Sequence, residues 1–185
     1  MNAPTNPKEL QLQTVEFKLD GQTIVSYEGE TILKAAKRHG IDIPHLCFKD
    51  GYRADGNCRA CVVEINGERT LAPSCCRSAT AGMEVKAKSE RAIKSQKLVL
   101  EMLLSDMPDE GFKWVGDTPA EEQKQQHGEL STWATRMDVT VRPELKAIRR
   151  EQVGADLSHP AMAVNLDACI PVSYTHLTLP TIYSV

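Results

Sequence analysis

Residues 45–61 read His45-Leu-Cys-Phe-Lys-Asp-Gly-Tyr-Arg-Ala-Asp-Gly-Asn-Cys-Arg-Ala-Cys61, and Ala72-Pro-Ser-Cys-Cys76 follows a short apolar stretch. Three cysteines therefore share one loop rich in Gly and small polar residues. A fourth lies beyond a hairpin, giving C-x10-C-x2-C-x13-C when counted to Cys75. One long loop plus one remote thiolate can enclose a 2Fe–2S cluster, whose two irons take four Cys sulfurs between them. The expected ligands are Cys47, Cys58, Cys61 and one of the adjacent pair Cys75 and Cys76. On extended backbone, adjacent side chains point to opposite faces, so only one of that pair is expected to face the cluster.

The loop chemistry agrees with an anionic group. Thiolates are the soft ligands that iron prefers, and four of them around bridging sulfides carry net negative charge. Gly56 lets the backbone approach closely, and successive N–H groups around Asn57, Arg59 and Ala60 can form an anion nest. Arg53, Arg59 and Arg77 are expected either to add positive charge that eases reduction or to be solvated surface. Two rival chemistries were weighed. Structural zinc usually pairs two short chelating knuckles, and only Cys58-x2-Cys61 is one. A thioredoxin-type dithiol needs its C-x2-C at the start of a helix, whereas Cys61 runs straight into strand residues. His45 reads as a packing or surface histidine rather than a ligand, and Cys169 stands alone.

Around the loop, hydrophobic periodicity sets out a small mixed fold. Thr14–Leu19 alternates apolar and polar residues, Asp20-Gly21 is a turn signal, and Thr23–Tyr27 returns as a second strand. Thr31 is expected to cap a helix over Ile32–His39, stopped by Gly40, with Ile32, Leu33, Ala35 and Ala36 on its apolar face. Cys61–Ile65 reads as a third strand, turned at Asn66-Gly67 and returned over Arg69–Ala72. Gly82–Ala87 closes the set. The order strand, strand, helix, cysteine loop, strands predicts an α+β, β-grasp fold with a mixed sheet on one helix. Ser89 is expected to cap a helix running to about Ser105, with an apolar stripe from Ile93 to Leu104 and a stop at Met107-Pro108. A second helix is expected over Leu130–Met137.

The chain's 185 residues, ordinary apolar and charged fractions and net charge of −3 give no concentrated basic face for nucleic acid. No apolar run approaches a membrane span, and the N-terminus lacks the apolar core of a signal peptide. A cytoplasmic location, where thiols stay reduced, is expected.

Plant-type ferredoxins keep only four residues between their first two cysteines, where this chain has ten. Pro44-His-Leu-Cys47, Gly56-Asn-Cys-Arg-Ala-Cys-Val-Val-Glu64 and Ala72-Pro-Ser-Cys75 resemble instead the N-terminal 2Fe–2S domain of the complex I large iron–sulfur subunit. The same domain opens some iron-only hydrogenases and NAD-dependent formate dehydrogenases. Gly51–Cys61 and Ser158-His-Pro-Ala-Met-Ala-Val-Asn-Leu-Asp-Ala-Cys-Ile170 are most similar to the α subunit of a cytoplasmic NAD-dependent formate dehydrogenase.

The resemblance implies Cys75 as fourth ligand, with another residue type usual at Cys76. It also implies further 4Fe–4S clusters and a bis-pterin molybdenum or tungsten cofactor in the complete subunit. Electrons would leave to flavin- and NAD-binding diaphorase subunits. The His-and-three-Cys motif expected of complex I after this domain does not follow here.

The expected organisation is a polar tail (1–12), a 2Fe–2S ferredoxin-type domain (13–88) and a helical connecting segment (89–160). The truncated start of a ferredoxin-like 4Fe–4S module (161–170) and a non-native tail (171–185) complete it. The function expected is electron transfer within a formate dehydrogenase, the fragment itself lacking a catalytic domain. The alternatives are a stand-alone ferredoxin-type carrier, an iron–sulfur subunit of a complex I- or hydrogenase-like NADH oxidoreductase, and a zinc-stabilised interaction module.

Overall fold

A computed structural model describes residues 13–107, 129–151, 153–159, 162–165 and 167. The expectations for the two tails, for Cys169 and for most of 161–170 fall outside those residues. Alternation makes the first hairpin. Strands β1 (Thr14–Leu19) and β2 (Gln22–Tyr27) pair antiparallel, with Leu19 opposite Gln22. Asp20 and Gly21 both take positive φ, 48° and 85°, the mirror-image turn whose twist suits a two-residue hairpin. Phe17, Leu19 and Ile24 are thereby turned inward and buried.

Helix α1 (Ile32–Arg38) starts where expected, with Thr31 Oγ1 accepting from the Lys34 N–H at 3.4 Å. Strands β3 (Val62–Ile65), β4 (Ala72–Pro73) and β5 (Glu84–Lys86) complete a five-stranded sheet in the order β2-β1-β5-β3-β4. The central β1–β5 pair is parallel and the others antiparallel. This mixed sheet and α1 enclose one core that includes Phe17, Leu19, Ile32, Leu33, Val63 and Val85, and the α+β fold expected from the element order is the one observed.

The second hairpin differs from its expectation. The strand expected over Arg69–Ala72 is reduced to Ala72–Pro73, paired with Val63 and Val62. Asn66 is committed to β5 instead: its N–H donates to Glu84 O at 2.9 Å and its side chain to Glu84 Oε2 at 2.9 Å. Only Gly67 takes positive φ there, at 83°, and Glu68 N–H closes on Ile65 O. That is the pattern of a type II turn, which does not continue the hairpin directly.

Helix α2 (Glu90–Asp106) is capped by Ser89, whose Oγ accepts from Ala92 N–H at 3.2 Å. Its apolar stripe does not bury as one face. Ala92, Gln96 and Leu100 are buried, while Leu98 and Met102 are exposed. Gln96, polar and 2% exposed, secures the docking: its Nε2 donates to Val62 O at 2.8 Å and to Ala87 O at 3.4 Å. Helices α3 (Glu129–Arg136) and α4 (Pro143–Ala147) follow, and Arg142 at the start of α4 grips Glu101 of α2 through two guanidinium nitrogens.

A second core of Leu46, Ala60, Leu100, Met107 and Leu130 lies between the cysteine loop and α2–α3. A two-stranded hairpin, β6 (Ala155–His159) and β7 (Met162–Asn165), breaks the helical character expected up to residue 160. Its β6–β7 pairing carries an irregularity between Asp156 and His159 that period-2 counting does not show.

Gln96→Leu would strip donors from two buried carbonyls while keeping the volume. It should cost about 1–3 kcal/mol in urea unfolding. Leu98→Ala, on the exposed side of the same helix, should stay within about 0.5 kcal/mol of the parent. Equal effects from the two would mean that α2 does not dock through Gln96.

Candidate metal centre

Four thiols meet at the junction of the cysteine loop, β3 and the turn after β4. Cys47, Cys61 and Cys75 are buried and Cys58 is half-buried. Their sulfurs form a connected set, Cys58 with Cys47, Cys47 with Cys75, and Cys75 with Cys61. The five described cysteines are all free thiols.

Each sulfur is brought in by a different local device. Cys61 is buried one residue before β3 begins. Cys75 sits in a turn in which the N–H groups of Cys76 and Arg77 both donate to Pro73 O at 3.1 Å. That turn is fastened to the start of α1, where Ile32 N–H donates to Arg77 O at 2.9 Å and Leu33 N–H to Ser74 O at 3.0 Å. The unpaired first N–H groups of a helix need such acceptors, so α1 and the Cys75 turn satisfy each other. Ser74, fully buried, links the turn to the strand: its Oγ donates to Cys61 O at 2.7 Å. Between Cys58 and Cys61 the chain reverses at Arg59, whose φ of 57° is left-handed, a conformation costing about 1–2 kcal/mol for a residue with a Cβ.

Backbone N–H groups point at the sulfurs, as the nest expectation required. Those of Asn57 and Cys58 face Cys47, and those of Cys47 and Ala60 face Cys58. The protons are shared unevenly. Hydrogen bonding from Cys58, then Cys75, pulls the Cys47 thiol down to about 2, and hydrogen bonding from Cys75 holds Cys61 at about 7. Donating to Cys47 pushes Cys58 up, and donating to Cys47 and Cys61 pushes Cys75 up. Ionisation is thus eased at Cys47 and Cys61 and opposed at Cys58 and Cys75.

The donor set fits a binuclear iron–sulfur group. A cluster with two thiolates at each iron asks for four sulfurs around a volume rather than a point.

Several expectations are corrected here. Cys75 and Cys76 do not diverge across a strand, because they lie in a turn. Their sulfurs are 3.5 Å apart, and burial distinguishes them, Cys75 inside and Cys76 exposed. The positive charge expected from Arg77 is taken up by an ion pair with Glu68, while Arg53 and Arg59 are exposed. His45 is a packing residue as expected, its ring 5.9 Å from both Phe48 and Trp133 and its Nδ1 2.8 Å from Ile43 O. Ser74 and the left-handed Arg59 escaped the sequence reading, which offers no period or spacing for either.

Gly56 is buried at φ +66°, and a Cβ there would meet Cys76 Sγ at 2.9 Å. Gly56→Ala should therefore lower stability by about 1–2 kcal/mol, the cost of a left-handed residue, before any cost of displacing Cys76. Thermal unfolding at the parent temperature would show that the loop has another way to close.

Residues 13–90 match the family described as a 2Fe-2S iron-sulfur cluster binding domain. The chain is 46% identical over 102 residues to the NADP-reducing hydrogenase subunit HndD of Solidesulfovibrio fructosivorans, covering 52% of this chain and 17% of that protein. It is 35% identical over 124 residues to the mitochondrial NADH-ubiquinone oxidoreductase 78 kDa subunit of Candida albicans, covering 64% of this chain and 17% of that one. The chain thus spans less than a fifth of these curated relatives. Among solved structures, an NAD+-reducing [NiFe]-hydrogenase in the H2-reduced state superposes with a TM-score of 0.67 at 30% identity, over 85% of this chain and 62% of that one. Residues 13–90 are a 2Fe–2S ferredoxin-type domain like those of NADH-quinone oxidoreductase and NAD-reducing hydrogenase large subunits.

Proposed function

We propose that the chain is an electron-transfer element of a multi-subunit, NAD-linked oxidoreductase of the hydrogenase or NADH dehydrogenase type. The convergence of four buried or half-buried thiols inside a ferredoxin-type fold carries the reading. When bound, a 2Fe–2S group takes up and gives back one electron.

Cys47, Cys58, Cys61 and Cys75 would hold it, releasing their remaining protons as they bind. The N–H groups of Asn57, Cys58 and Ala60 would stabilise the negative charge on the sulfurs without needing a cation. Ser74 and α1 would keep Cys61 and Cys75 in register. The reduced thiols this requires fit a cytoplasmic setting.

A second reading, the formate dehydrogenase α subunit, is favoured by the resemblance of Gly51–Cys61 and Ser158–Ile170. Under it, electrons would come from a bis-pterin molybdenum or tungsten centre by way of 4Fe–4S clusters. They would leave through a flavin- and NAD-binding diaphorase subunit. The named relatives are hydrogenase and NADH dehydrogenase subunits and so support the first reading more.

Anaerobic reconstitution of the chain should give about two irons and two sulfides per polypeptide, with visible absorption bleached by dithionite. Cys47→Ser, Cys58→Ser, Cys61→Ser and Cys75→Ser should each lose or alter that absorption. Stoichiometric zinc without sulfide, in protein made under iron-replete conditions, would establish the zinc module instead. The native complex isolated through this chain should reduce a dye with NADH; reduction with formate at the same preparation would favour the second reading.

A further inference from the structure

Among the described residues, Cys76 is the one cysteine that the proposed ligand set leaves over. The turn after β4 aims its sulfur at the site rather than away from it. Cys76 Sγ lies 3.5 Å from Cys75 Sγ, a contact in which either sulfur can donate, and its S–H also reaches Ala54 O at 3.6 Å. The space it occupies is kept by Gly56, since a Cβ at that position would come within 2.9 Å of Cys76 Sγ. Three separate features therefore converge on one sulfur: the turn at Pro73–Arg77, the glycine opposite, and the carbonyl of Ala54.

The direction of the contact follows from chemistry. A metal-bound thiolate carries no proton and can only accept. Cys76 lies outside the ligand set, and a cysteine S–H is a weak donor. Cys75 is fully buried and Cys76 is exposed beside it. A hydrogen bond to a ligand sulfur draws charge from it and favours whichever redox state is more negative; such bonds are among the factors that set iron–sulfur potentials.

Resting on the cluster reading above, we propose that Cys76 is a positioning residue that donates an S–H hydrogen bond to Cys75 Sγ and raises the reduction potential of the site. The sequence resemblance implies a different residue type at this position, so the effect would belong to this chain in particular.

The test compares reconstituted wild-type chain with Cys76→Ala and Cys76→Ser by iron and sulfide analysis, visible and EPR spectra, and potentiometric titration. Cys76→Ala should keep the two-iron complement and titrate at a more negative potential than wild type. Cys76→Ser, which keeps a hydroxyl donor, should titrate above Cys76→Ala. An intact cluster with an unmoved potential in Cys76→Ala overturns the proposal, as does a Cys76→Ser potential no higher than that of Cys76→Ala. Loss of the cluster from Cys76→Ala, with wild type loaded, would make Cys76 a ligand and overturn it too. Failure of wild type itself to take up iron and sulfide would instead bring down the cluster reading on which the proposal rests.

Discussion

The structure depends on holding four sulfurs against one another inside a protein. Thiols crowded in this way repel as they ionise, and burying the resulting charge is costly unless donors are aimed at it. Two solutions operate together. Hydrogen bonding among the sulfurs eases ionisation of Cys47 and Cys61 and opposes that of Cys58 and Cys75. Backbone N–H groups of the loop supply the rest. This removes the need for neighbouring arginines, which explains why Arg77 can be spent on Glu68 and why Arg53 and Arg59 can lie in solvent.

The same requirement explains the chain's departures from regular structure. Donors can be turned toward Cys58 only if the backbone reverses sharply, and Arg59 takes the left-handed conformation to do so. Cys75 can be held only if its turn is fixed, and α1 provides that by placing its first N–H groups on the carbonyls of Ser74 and Arg77. The helix thus serves the site with its end and the core with its face. Ile32, Leu33, Ala35 and Ala36 bury against the sheet while the N-terminus above them grips the turn.

Much of this was legible in the sequence, for identifiable reasons. Alternation in Thr14–Leu19, the Asp20-Gly21 turn and the caps at Thr31 and Ser89 are local signals, and the structure follows each of them. The cysteine spacing marked Cys47, Cys58 and Cys61 and left Cys75 and Cys76 as alternatives, between which the resemblance chose Cys75. What was not legible is tertiary. Asn66-Gly67 reads as a tight hairpin turn until β5 claims the amide of Asn66. Cys75-Cys76 reads as a strand pair until α1 folds the segment into a turn. Gln96, a polar residue within an apolar stripe, gives no sign in the sequence that it is the one to be buried.

The helical segment is best understood through Cys58. Of the four sulfurs it is the least buried, and it packs against the second core, partly built by Leu100, Leu130, Leu103 and Trp133. The core of the sheet and α1 takes in Cys61 and Cys75, while Leu46, Ala60 and Cys58 of the loop pack in the second core. Helices α2 and α3 close that second core, tied in through Gln96 on β3 and through Trp133 against His45. Apolar cover of this kind limits water at the sulfurs and lowers the local dielectric, which strengthens every N–H contact to them. The residues after 88 therefore help to cover the thiol site, with Gln96 and Trp133 tying them to it.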